Sequence, residues 1–180
     1  MSKNDNIIKQ SKLWVKEFVI KHNICPFAKR EYDKESIHFD VVNNNKIESQ
    51  LYAVIQACSE LDNDDSIETT LLIYPVGLSQ FETYLDFLEL ANQLLSKQGY
   101  EGLYQLASFH PDYYFEGVDK DDASNYSNRS PYPMLHLLRE SSLEKALASY
   151  PNPELIPQRN IGYLQRMEAE SLEKLLKNLS

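Results

Sequence analysis

The sequence is poor in several things at once. Only two cysteines occur in 180 residues, Cys25 and Cys58, too few for a disulfide framework. Glycine is scarce, at five residues, and no glycine-rich phosphate loop or Gly-x-Ser-x-Gly elbow occurs, which counts against nucleotide binding and serine hydrolysis by their common routes. Cations are outnumbered, 18 Lys and Arg against 27 Asp and Glu, for a net charge of -9. That balance argues against nucleic acid and against anionic membrane surfaces. No window approaches the roughly 18 consecutive apolar residues of a membrane span. The opening Met-Ser-Lys-Asn-Asp-Asn lacks the form of a secretory signal, so the cytoplasm is the expected location and the Asn125 and Asn128 sequons are expected to stay unused.

What is present suits one globular domain spanning residues 1–180: 42% apolar and 11% aromatic content. Ile7, Trp14, Val15, Phe18 and Val19 recur at helical spacing and predict a helix over about 7–22. Ile37 to Val42 alternates as a strand. Ile47, Leu51, Val54, Ile55, Cys58 and Leu61 form one helical stripe. Thr69 to Tyr74 reads as a central strand, apolar on both faces. Ser79 and Glu82 form the pattern of a capping box before a helix that ends at Gly99. Leu103 to Phe109 predicts a third strand. A short helix is expected from about Pro131 to Glu140, another behind Ser141–Glu144, and a terminal helix from near Pro157 towards Lys177. The fold class is therefore α/β: a small, mainly parallel β-α-β-α-β sheet with an N-terminal helix and a helical C-terminal third. The alternative is an α+β sandwich with a mixed sheet, in which Tyr113 to Gly117 adds a strand.

Function is expected in the segment 110–140. Ligands of open parallel sheets bind beyond the carboxyl ends of the strands, and His110 stands at such an end. A long aromatic loop follows it, and ordered loops of that length are commonly functional. His110 and Asp112 make a candidate acid/base pair, because imidazole titrates near neutrality and a carboxylate orients it. On the expected helix, His136 and Glu140 are four residues apart and share a face. With His110 they make a candidate ligand set for a divalent transition metal. Asn128, Arg129 and Ser130 at the helix start, with Arg139, are the candidate grips on a small anionic molecule. Cys25 is a weaker candidate nucleophile beside Lys29 and Arg30. Asp119, Asp121 and Asp122 with Asn125 lack the glycine and closing glutamate of a calcium loop.

Five segments carry a resemblance: Cys25-Pro-Phe-Ala28, Thr69-Thr-Leu-Leu-Ile73, Tyr84-Leu-Asp-Phe-Leu88, Ser108-Phe-His-Pro-Asp-Tyr113, and above all Asn128-Arg-Ser-Pro-Tyr-Pro-Met-Leu-His-Leu-Leu-Arg-Glu140. Together they resemble an uncharacterised bacterial family, domain of unknown function 1415. The resemblance implies a single intact domain and assigns no catalytic residues. The functional expectation is an enzyme acting on a small anionic metabolite by His/carboxylate acid–base or metal-assisted chemistry. A non-catalytic small-anion binding module, or an interaction domain docking through its tyrosines, is the alternative.

Overall fold

Residues 2–167 and 169–179 are described by the computed structural model. The chain opens on α1 (Lys3–Trp14), started by a reciprocal cap in which Ser2 Oγ accepts from the Asp5 amide and Asp5 accepts from the Ser2 amide. The helix runs on into a π-helical turn, Val15–Ile20, and stops at Asn23, whose φ of 52° is left-handed. A short α2 (Ala28–Asp33) precedes β1 (Ile37–Val41). Then come α3 (Ile47–Asn63), β2 (Thr69–Ile73), α4 (Phe81–Lys97) and β3 (Tyr104–Phe109). After a 3-10 turn, Ala123–Asn128, the chain forms β4 (Met134–Arg139), α5 (Glu140–Ala148), α6 (Ile156–Gln165) and α7 (Ala169–Leu179).

The sheet order is β1-β2-β4-β3. β1 and β2 are parallel, while β4 lies antiparallel between β2 and β3. The three strands expected from the sequence thus share one direction, and the sheet is mixed because a fourth strand fills the gap. That strand is the segment expected to be a helix. Met134, Leu135, Leu137 and Leu138 fit a helical stripe, but they equally give a central strand apolar on both faces. Met134, Leu135 and Leu137 are completely buried, so burial on both faces decided the outcome. Tyr113 to Gly117 forms no strand.

Neither expected capping box forms. The α4 cap position is Gln80, without a side-chain bond. β4 runs straight into α5, so Arg139 is the cap residue and Ser141 already lies in the first turn. The expected terminal helix is two, α6 and α7.

Helices cover both faces. Leu72, Leu135 and Leu137 pack with α3 and α4 on one side. Leu71, Ile73 and Met134 pack with α1, its π-helical extension, α6 and α7 on the other. Tyr84 of α4 ties the first layer to two strands: its hydroxyl donates to Met134 O at 2.7 Å and accepts from Phe109 N at 3.1 Å. Tyr84→Phe removes both bonds at once. It is expected to cost about 2 kcal/mol in urea unfolding, with an unchanged m-value.

Candidate functional site

The segment beyond the carboxyl ends of the parallel strands is packed shut. His110 is fully buried between the rings of Phe81 and Tyr84, at 5.2 and 5.1 Å. Its Nδ1 accepts from the Asp112 amide at 3.0 Å, and its Nε2 donates to Leu78 O at 3.0 Å. Both nitrogens are therefore satisfied, and burial lowers the pKa of the ring. The Asp112 residue meets the imidazole through its backbone, and its side chain is on the exposed surface.

The expected grips are occupied in the same way. Arg129 lies over Tyr126 and donates to Tyr113 O (3.1 Å) and Lys120 O (2.7 Å). Asn128 donates to Ser108 O, and the buried Ser130 hydroxyl to Tyr132 O. No helix begins at Ser130, so the expected anion-holding helix start is absent there. Arg139 reaches past the end of α3, donating to Leu61 O (2.5 Å), Ile67 O (3.0 Å) and Tyr104 Oη (3.3 Å). Glu140 stands at a shallow hollow of about 300 Å³ with Asn92, Ser96, Glu101 and Gln105.

His110, His136 and Glu140 do not converge. His110 packs with α4, whereas His136, like Met134 two residues before it, faces the α1 side of the sheet. Among the described residues no group of three or more His, Cys, Asp or Glu is placed to hold a metal ion. The metal-ligand expectation is corrected accordingly: the segment is a strand that ends at Arg139, so Glu140 falls in the first turn of α5 beside α4, while His136 lies on the α1 side of the sheet.

Of the residues expected in 110–140, His136 and Arg139 line a different and much larger space. A cavity of about 690 Å³ opens over the α1 side of the sheet, towards the amino-terminal half of β2. Leu71, Ala107, Phe109, His136 and Leu138 form its floor, Trp14, Val15 and Val19 one wall, and Leu143 and Ala146 of α5 another. Cys25, Phe27 and Ala28 close a third side. β4 is an interior strand, yet His136 and Leu138 are only half-buried, because this part of the helical layer leaves them open. The π-helical turn supplies Val15 and Val19 to the wall; such turns recur at functional sites.

His136 is the polar group of the floor. The Thr69 hydroxyl donates to Leu137 O at 2.5 Å, so its oxygen can only accept from His136 Nε2, 2.6 Å away. That assigns the proton to Nε2 and leaves Nδ1 a bare acceptor. Among the described residues Nδ1 has no protein partner, and it is not one of their sealed, unsatisfied atoms, which are His22 Nε2, Thr70 Oγ1 and Tyr74 Oη. Burial pushes the pKa down to about 4, so the ring is uncharged at neutral pH.

At the rim, Arg30 pairs with Glu31, which also takes Lys34 and Ser36. Glu68 and Lys145 stand there without an ion pair among the described residues. Burial raises the pKa of the Cys25 thiol, while the amides of Phe27 and Ala28 pull it down more weakly. Lys29 and Arg30 do not offset this, since each pairs with a neighbouring carboxylate.

Neither the role of Thr69 nor the cavity itself is among the expectations drawn from the sequence. A histidine inside a leucine run was the available signal, because a polar side chain on an interior strand needs an explanation. Reading that run as a helix hid it.

Fold and site together define a mixed α/β protein with a ligand-sized cavity against its sheet. The chain belongs to a family described as a protein of unknown function (DUF1415), whose model matches residues 6–174. No curated protein and no solved structure matches it. No helix among the described residues is long and apolar enough to cross a membrane.

Proposed function

We propose that the chain is an enzyme that takes a small molecule with an apolar body and an anionic head into this cavity, with His136 as its acid–base group. The observation that carries the reading is the free Nδ1 of His136, held in one tautomer on the floor of a space large enough for a metabolite. The apolar floor and walls suit the body of such a molecule. Lys145, at the rim and without an ion pair among the described residues, suits its head. An uncharged imidazole with one open nitrogen accepts a proton and returns it, which is worth roughly 10²–10⁴ in rate when the geometry is right.

Docking through tyrosines has less support. Tyr113 and Tyr114 pack on Phe81, Tyr126 is buried, and Tyr132 bonds to Gln10.

Anilinonaphthalene sulfonate has the required shape of apolar body and anion, and Trp14, the single tryptophan, lines the cavity as a built-in reporter. Binding to the native protein is expected to quench Trp14 by energy transfer. Ala107→Phe, which fills the floor, is expected to weaken binding at least tenfold, and Lys145→Glu to weaken it severalfold. Binding that neither change alters would place the ligand elsewhere and defeat the proposal. For any substrate that a metabolite screen returns, His136→Asn is expected to lower kcat/KM by about 10² or more.

A further inference from the structure

The cavity contains a second competent group that this acid–base reading does not use. Cys25, half-buried, lines it together with His136. Cys58, by contrast, is sealed on the buried face of α3, and burial pushes its pKa to about 12. The backbone amides of Phe27 and Ala28 act on the Cys25 sulfur and favour negative charge there, though burial outweighs them and keeps the thiol protonated. His136 in the same space is uncharged and has an open Nδ1. A thiol and an imidazole that are both neutral can react only as the proton leaves sulfur, and Nδ1 is an available acceptor. The other charged groups facing the cavity are Arg30 and Glu31 of α2, Glu68 before β2, and Arg139 and Lys145. Of the two carboxylates, Glu31 is taken up by Arg30, Lys34 and Ser36, which leaves Glu68 as the competing acceptor.

We propose that Cys25 is the nucleophile of an acyl-transfer reaction in this cavity, acting on an ester or thioester of an apolar acyl group, with His136 Nδ1 taking the thiol proton. The inference rests on the cavity being the ligand site. In the first step Sγ bonds to the carbonyl carbon while its proton passes to Nδ1. The C–O or C–S bond to the leaving group breaks, and the leaving group collects that proton. S-acyl Cys25 and neutral His136 remain. In the second step water attacks the thioester carbon and gives a proton to Nδ1. The bond to Sγ breaks, the thiolate takes that proton back, and the carboxylic acid departs. No electrons are exchanged with an oxidant or reductant, and the apolar walls receive the acyl chain.

The test uses p-nitrophenyl octanoate, following p-nitrophenolate release by absorbance and the protein by peptide mass. The octanoyl group is expected on Cys25 and not on Cys58, and Cys25→Ser abolishes it. His136→Asn and His136→Gln are each expected to slow Cys25 acylation at least tenfold, whereas Glu68→Gln leaves it within twofold. Wild-type acylation is expected to vary less than threefold from pH 5.5 to 8. An unassisted thiol below its pKa would accelerate about tenfold per pH unit, because only its thiolate reacts. Acylation confined to lysines, wild-type rates in both His136 variants, or that tenfold rise would each overturn the inference. The two readings separate through Cys25→Ser. If wild type and Cys25→Ser both bind anilinonaphthalene sulfonate but wild type is never acylated at Cys25, the nucleophile falls and the cavity reading stands. Absence of binding in both defeats the cavity reading itself.

Discussion

Arg139→Ala is expected to destabilise the fold by about 3 kcal/mol, although this residue reads from the sequence as a substrate grip. Its guanidinium donates to Leu61 O and Ile67 O, two carbonyls at and beyond the end of α3, and to Tyr104 Oη. Tyr104 passes the chain on to Asp62, at 2.6 Å. Hydrogen bonds to a charged group contribute about 1.5–3 kcal/mol each, and removing the donor strands the acceptors it served. Arg139→Lys recovers only part of this, since a single ammonium cannot span a fork of two carbonyls and a phenol. Urea unfolding of the three proteins checks the order: wild type most stable, then lysine, then alanine.

The second large effect is on acid stability. His136 has a pKa of about 4 in the folded chain against about 6.5 for an ordinary histidine. The unfolded chain therefore binds a proton that the folded chain refuses. Stability is at its full value above about pH 6.5 and falls as pH drops towards about 4, by about 3 kcal/mol from this group. Burial depresses His22 and His110 in the same direction, adding to the loss. His136→Leu is expected to remove the largest share and flatten the midpoint of urea unfolding between pH 7 and pH 5. Such a variant would be more acid-stable than the natural chain while losing the polar group of the cavity. A residue that lowers acid stability and leaves one nitrogen unpaired is better explained by chemistry than by folding.

Much of the architecture was legible in the residues. Thr69 to Ile73, apolar on both faces, lies inside the sheet, and the α3 stripe buries at Val54, Cys58 and Leu61, with Leu51 and Ile55 partly covered and Ile47 exposed. The shared direction of β1, β2 and β3 follows from their alternation with helices. The fourth strand was not legible, because Met134, Leu135, Leu137 and Leu138 fit a helical stripe and a strand apolar on both faces equally well. That one ambiguity displaced the candidate site. As a helix, 131–140 would set His136 and Glu140 on one face. As a strand it sends His136 to the α1 side, and it leaves Glu140 to start α5. His110 misled for a different reason. A strand end followed by a long polar loop has the pattern of a site, but the loop here spends its polar groups on its own backbone. Asn125, for instance, accepts from Phe115 N and donates to Asp119 O. Sequence shows which polar groups exist, and only the folded chain shows which remain unpaired.

The state of the His136 imidazole decides whether the cavity can do chemistry, and ring-nitrogen NMR of the four histidines across pH measures it directly. The expected spectrum holds His136 neutral and protonated at Nε2 down to below pH 5, with an unprotonated Nδ1 whose resonance moves when anilinonaphthalene sulfonate is added. A His136 that titrates near 6.5, or carries its proton on Nδ1, would contradict it.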